Sequence, residues 1–387
     1  MVTTNVPTAY PTKSSASLPT GRCLFAKNAL VCMHFSPTLR RMLETHIKLG
    51  GGWRSLAFLK SADQEELAKL LSSSKGNTQV NAELEAELPL SFRRPWPGAT
   101  CPDFYREYFV QFKYNEKVFA PGASASGLQA DFTNPVKSGM LLKKLREGSQ
   151  FLPRLFEING TSNSLKYFIK STDTDPKENI DLERCNMTFV DPSEFGLPPH
   201  TALVQFLQDN STRHIFLRSD NSREISNWYN TLRLCKYQRL RLHLSGSGSD
   251  ASPEEIVSHL TSDLDKVGWI FKGGPDSNYT FRRRWLMLTH RRRLLYANDP
   301  QSAFSKGEIF IGSEHDGFAV TEKAPDDWKK CPTEFPFTIC TPNRSFVFCA
   351  NSEADRSEWV AMLVALLKRP VTFLDEKEAA SVFSRRK

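Results

Sequence analysis

The sequence predicts a multidomain α+β protein: a mainly α N-terminal region followed by two β-barrels, each closed by a C-terminal helix. Three observations carry this expectation. The length of 387 residues exceeds what a single hydrophobic core ordinarily organises. Two segments about 130 residues apart repeat one pattern of short strands ending in a Trp-bearing helix. The 40% hydrophobic and 24% charged composition is that of a globular chain, so disorder cannot dominate.

Residues 1–20, "MVTTNVPTAYPTKSSASLPT", are polar and rich in Ser, Thr and Pro. They lack the apolar core of a secretory signal and are expected to form a disordered tail. The region 21–120 is read as a helical module, because "SADQEELAKLL" and "NAELEAELP" have helical period and propensity. The run "APGASASGLQADFTNP" is full of small and chain-breaking residues and marks its boundary.

The first repeat, 136–240, runs through Gly139–Lys143, "FLPRLFEI" and "LKYFIK" to "STRHIFLRSDNSREISNWYNTLRL" with Trp228. The second, 264–370, answers with Gly268–Lys272, "FRRRWLML", "LLYAND" and "NRSFVFCANSEADRSEWVAMLVALL" with Trp359. Short strands bounded by turns would wrap into a bent sheet, and a terminal helix carrying a large aromatic would plug its open end. In that helix Trp359, Leu363 and Leu366 recur at helical spacing behind N-cap chemistry at Asn351 and Ser352. Residues 241–263 form the linker, a flexible Gly/Ser run followed by a short helix starting at Ser252-Pro253-Glu254-Glu255. Residues 371–387 are assigned to a tail.

Eight cysteines without a Cys-x-x-Cys pair fit reduced thiols of a cytosolic protein. No apolar run is long enough to cross a membrane as a helix. A formal charge of +8 favours a polyanionic partner. Nucleic acid is set aside, since no RNP-like stretch or Cys2His2 spacing occurs. Nucleotide hydrolysis and hydrolase chemistry lack their phosphate-loop, zinc-protease and nucleophile-elbow motifs.

The charge concentrates in "TFRRRWLMLTHRRRLLY", where two Arg triplets flank a strand. A hairpin turning near His290 would set Arg284 opposite Ala297 and Trp285 opposite Tyr296, and would place Arg291–Arg293 at the turn as a solvated face. Alternation sends Arg282 and Arg284 to one face, where Lys272, Tyr296 and Asn298 can join them beneath the loop "GGPDSNYT". Guanidinium forks beside free backbone N–H groups suit a small, multiply phosphorylated headgroup.

Both repeats resemble pleckstrin homology (PH) domains, in which a Lys and a basic-x-Arg tripeptide on the first two strands bind phosphoinositides. Lys272, Arg282 and Arg284 match that motif. In the first repeat Lys143, Lys144 and Arg154 match, while Leu152 stands where a basic residue would be, so weaker or less selective binding is expected there. More closely, 136–370 are similar to the family of Arf-GAPs with dual PH domains (centaurin-alpha), through "LKYF", "DNSTRHIF", "EISNWYNTLR", "DPQSAFSKGEIFIGS" and "SEWVA".

That resemblance implies binding of phosphatidylinositol 3,4,5-trisphosphate and recruitment from cytoplasm to plasma membrane, with Arf-family small GTPases as a possible partner. It also implies a zinc-finger GTPase-activating module, kept here as an Arf-GAP-like remnant in "WRSLAFLKSADQEELAKLLSSSKGN". The finger is degenerate: Phe35 replaces a cysteine ligand, Pro37 a glycine, and Cys23 lies only nine residues before Cys32. Cys23, Cys32 and His34 are too few and too unevenly spaced to rebuild a four-donor zinc site, so no cofactor is expected. Arg40 falls at the position of the catalytic Arg, but an arginine finger works only when held at the phosphate. The expectation is a phosphoinositide-binding protein without catalysis of its own; the alternatives are an active zinc-dependent Arf GTPase activator and a protein-interaction scaffold.

Overall fold

The computed structural model describes residues 46–49, 52–55, 77–96, 100–123, 131–247, 252–275, 280–328, 330–376 and 379. Cys23, Cys32, His34 and Arg40 lie outside these, as do the 1–20 tail, the run "SADQEELAKLL" and the tip of the "GGPDSNYT" loop at 276–279. The chain divides into two compact units: the described residues up to Thr133 together with Ser222–Asn227, and 134–221 together with the residues from Trp228 onward.

In the first unit, strands β1 (His46–Leu49) and β2 (Gly52–Ser55) pair antiparallel. Helices α1 (Asn77–Leu84) and α2 (Asp103–Val110) follow, the latter running on into a π-helical turn, Gln111–Asn115. Phe92 is the centre of an aromatic cluster, with Phe119 and Phe132 edge-on at 5.0 and 4.8 Å and Tyr108 stacked at 6.0 Å. Lys113 is almost fully buried and pairs with Glu85 at 2.5 Å; that carboxyl is held below its ordinary range although burial opposes this.

The second unit holds the two repeats. The first comprises β3 (Val136–Lys144), β4 (Phe151–Asn159), β5 (Ser164–Phe168), β6 (Glu178–Asp181), β7 (Asn186–Phe189), the short helix α3 (Pro192–Phe195), β8 (Thr201–Gln208), β9 (Ser211–Arg218) and α4 (Ser222–Ser247). After α5 (Pro253–Ser258), the second comprises β10 (Leu264–Lys272), β11 (Arg282–Thr289), β12 (Arg293–Ala297), β13 (Gly307–Phe310), β14 (Ala319–Thr321), β15 (Pro336–Cys340), β16 (Ser345–Cys349) and α6 (Glu353–Lys368).

Each repeat is one seven-stranded antiparallel sheet with the same order, β6-β5-β4-β3-β9-β8-β7 and β13-β12-β11-β10-β16-β15-β14. The first and last strands are edges, so the bent sheet is not sealed by hydrogen bonds between them. Helix α6 starts where Ser352 Oγ accepts from the Asp355 N–H at 3.2 Å, and it buries Trp359, Leu363 and Leu366 among Ile270, Leu286, Phe337 and Phe348. Trp228 of α4 packs edge-on against Phe156 in the first repeat.

The run "WLML" lacks alternation because β11 is buried on both faces. Leu286 and Leu288 enter the second core, while Trp285 and Met287 pack with Leu295 and Ala297 against Phe195, Leu203 and Phe216 of the first repeat. Polar contacts join the same interface. The His214 N–H donates to the Ala303 carbonyl at 2.8 Å, and Arg293 bonds both Glu308 and Thr212.

Four sequence expectations are corrected. The hairpin register is displaced by one residue: Trp285 faces Ala297 and Leu286 faces Tyr296. Its three-residue loop places Arg292 at φ 63, in the left-handed region, and Arg293 N–H closes on Thr289 Oγ1 at 3.2 Å. The second triplet is not a solvated face. Arg292 has 0% exposure and donates to the carbonyls of Ile311, Gly312, Leu366, Arg369 and Pro370, with Asp375 at 3.5 Å from Nε.

That guanidinium also explains why the expected tail is structured at its start. Leu374 and Asp375 are buried, and the Asp375 carboxyl is held well below its ordinary range, against its burial, by His259, the Thr372 N–H and Arg292. Finally, the Gly/Ser run expected to be flexible from Leu244 is helical through Ser247, because Leu244 is anchored on Ile256 and Leu260. Ser252 caps α5 as expected, its Oγ accepting from the Glu255 N–H at 3.1 Å.

Candidate functional site

The inward face of each bent sheet is apolar in its middle and cationic at one end. In the second repeat Ile270, Leu286, Phe346 and Phe348 point into the core. Two-residue periodicity carries those same faces on to Lys272, Arg284 and Arg344. Lys272 lies directly across the ladder from Arg282, so their side chains share that face.

Lys272 Nζ sits 4.9 Å from the Tyr296 ring and 5.5 Å from the Phe346 ring, and donates to the Gly273 carbonyl at 3.0 Å. Burial, then Arg344, then Arg284 push its ammonium down to about 8. Arg344 is exposed and stacks over Phe346 at 4.1 Å; Arg282 is exposed and Arg284 half-buried. Arg283, on the opposite face, lies 4.1 Å over Trp269, which packs against the apolar cluster shared by the two repeats. The first triplet therefore divides between the two faces of β11.

Strand register aligns the two repeats residue by residue. Lys143 pairs with Leu152 and Leu217, as Lys272 pairs with Arg282 and Phe348. Phe156 pairs with Tyr167 as Leu286 pairs with Tyr296. Lys143, Arg154, Tyr167 and Arg213 thus hold the places of Lys272, Arg284, Tyr296 and Arg344. Lys143 Nζ lies 5.1 Å from the Tyr167 ring, and its ammonium is also pushed down to about 8, by burial, Arg213 and Arg154, with Glu178 opposing.

Two positions differ. Leu152 replaces Arg282, as the sequence indicates. The other lies on the strand after the tyrosine, where Tyr167 pairs with Glu178 but Tyr296 pairs with Gly307. Glu178 Oε2 accepts from Arg213 at 2.7 Å and from Gln208 Nε2 at 3.3 Å. A Cβ at Gly307 would stand 2.3 Å from Tyr296 Oη, so the second pocket has no room for a side chain there unless Tyr296 moves.

Lys144 points away from Lys143 and, with Asn298, Arg146 and Lys306, lines a groove of about 610 Å³ between the repeats. Arg344, Arg213, Tyr167 and Glu178 were not among the sequence candidates. The arginines carried a signal: in both repeats one stands just ahead of the apolar run that opens the penultimate element, "TRHIF" and "NRSFVF". Among the described residues no cluster of His, Cys, Asp and Glu could hold a metal ion, and no helix is long and apolar enough to cross a membrane.

The PH domain family model matches residues 135–237 and 264–368. The chain is 31% identical over 307 residues to an Arf-GAP with dual PH domain-containing protein 2 from Homo sapiens, covering 79% of this chain and 77% of that one. The Rattus norvegicus protein of the same name is 31% identical, covering 77% of this chain and 76% of that one. A crystal structure of the C-terminal PH domain of pleckstrin in complex with D-myo-Ins(1,2,3,5,6)P5 aligns at 22% identity and a TM-score of 0.22, covering 27% of this chain and 96% of that one.

Proposed function

The chain belongs to the family of Arf-GAPs with dual PH domains, and on that premise we propose that it is a phosphoinositide-binding protein whose second PH domain is the principal headgroup site. The headgroup is that of phosphatidylinositol 3,4,5-trisphosphate, and its capture brings a cytoplasmic protein to the inner leaflet of the plasma membrane.

The observation that supports this reading is the gathering of Lys272, Arg282, Arg284 and Arg344 at one pocket mouth, where the named influences on Lys272 are all depressing. An ammonium lowered to about 8 is still protonated at neutral pH, but at a cost its neighbours impose. Phosphate groups entering the cluster relieve that repulsion, and the guanidinium forks grip them bidentately. The first pocket adds a weaker contact. Each basic residue near an anionic leaflet contributes about 1 kcal/mol, and two linked sites act at high effective concentration.

Arg284→Ala is expected to lower binding to trisphosphate-bearing liposomes by about a hundredfold, a loss typical of removing one partner of a charge-assisted contact. Liposome flotation against vesicles of phosphatidylcholine and phosphatidylserine is the measurement. Unchanged binding would favour a protein-interaction scaffold instead.

The kinship supports a second reading, regulation of Arf-family GTPases, to which Arg40 would contribute the charge that stabilises the transferring phosphoryl group. Cys23, Cys32 and His34 do not supply the four donors of a structural zinc site. GTP hydrolysis by Arf, measured with the chain and with Arg40→Ala alongside metal analysis, decides this reading. An Arg40-dependent rate with stoichiometric zinc would establish it.

A further inference from the structure

The two pockets share four side chains, yet among the described residues only the first sets an acid across from its tyrosine. Glu178 stands on β6 directly across from Tyr167 and accepts from Arg213, the counterpart of Arg344. Both members of the pair are mostly buried, with side-chain exposures of 19% and 18%. Its charge also reaches Lys143, where it opposes the lowering caused by Arg213 and Arg154. One carboxylate is thereby set among the cations that a phosphate would otherwise meet.

We propose that Glu178 is a built-in competitor of the headgroup: it occupies Arg213 in the free first pocket and lowers that pocket's affinity for inositol polyphosphates. The inference deepens the headgroup reading and rests on it. A phosphate approaching Lys143 must part Arg213 from Glu178, and it then faces a negative charge in a partly dehydrated site, where like charges repel strongly. Gln208 holds the competitor in place, since it donates to Glu178 while its own oxygen accepts from Arg213. Among the described residues the second pocket has no such device: Gly307 stands across from Tyr296, whose hydroxyl fills the space a side chain there would take. The asymmetry thus has two sources, a missing cation at Leu152 and an added anion at Glu178.

The test uses the full chain with the second pocket disabled by Arg282→Ala and Arg284→Ala, titrated calorimetrically with inositol 1,3,4,5-tetrakisphosphate. Glu178→Gln, which keeps the shape and removes the charge, is expected to tighten binding about tenfold, the size of one relieved charge–charge contact. Glu178→Gly, the residue of the second repeat, is the companion variant should the glutamine chain not fold. Affinity that is unchanged or weaker in a folded variant overturns the role of Glu178. If the unaltered chain, with both pockets intact, gives no heat, the headgroup reading itself fails and this inference with it.

Discussion

Arg292 and Asn163 occupy the same place in the two repeats, the left-handed residue that closes the turn after the second strand, at φ 63 and φ 55. Asn163 is the residue type that tolerates this conformation, and it makes a short bond to Asp181 at 2.7 Å. Arg292 pays a backbone cost there and recovers it by gathering five carbonyls and Asp375 beneath the end of α6. A similar contrast recurs at the other end of the hairpin, where the shared cations of the two pockets sit beside Glu178 in one and Gly307 in the other. Duplication preserved strands, Trp helix and Lys–Tyr pair; the divergence lies in which charges are neutralised from within. The guanidinium of Arg292 is answered by carbonyls and a carboxylate, whereas those of Arg344 and Arg284 crowd another cation, Lys272.

The largest expected effect breaks the parity of the turns. Arg292→Ala takes the guanidinium away from five carbonyls and from Asp375, which keeps His259 and the Thr372 N–H, and should destabilise the second repeat by about 3–5 kcal/mol. Asn163→Ala, at an exposed turn, should cost only about 1 kcal/mol, chiefly the left-handed backbone penalty. Urea denaturation followed by Trp fluorescence compares them, and equal losses would contradict the assignment of Arg292 as a structural residue.

A smaller change sharpens the comparison of pockets. Leu152→Arg supplies the first pocket with the cation that the second has at Arg282, directly across from Lys143. Affinity for inositol tetrakisphosphate, measured with the second pocket disabled, is expected to rise about tenfold for one added charge-assisted contact. No gain would mean that Glu178 alone sets the difference.

The smallest effect tests what the pockets have in common. Lys143 and Lys272 are both lowered to about 8. A bound polyanion favours the ammonium, so binding takes up a proton once the free lysine has lost one. Affinity should therefore hold below about pH 7.5 and fall by up to about tenfold per pH unit above 8, where phosphate ionisation, near pH 6, is already complete. Calorimetry across that range on each single-pocket variant should give the same slope; a slope in one pocket alone would show that the lysines differ after all.

Much of this molecule was legible as a pattern. The repeat, the helices with Trp228 and Trp359, the cap of the latter, and the shared face of Lys272, Arg282 and Arg284 rest on spacing within one element or between adjacent strands. The "WLML" run read as strand, but that both its faces are covered, and by what, came only with the structure. The one-residue error in the hairpin came from its turn, because an arginine gives no warning that it will adopt a left-handed conformation.

What the sequence determined by itself is therefore local: period, caps, and the side of a strand on which a charge stands. Only the tertiary structure decided which charges meet, since Arg344 and Lys272 come from strands about seventy residues apart and Arg292 is enclosed by chain from α6 and beyond. The physical reason is that a guanidinium's role depends on its partners and its exposure to water, and long-range folding supplies both.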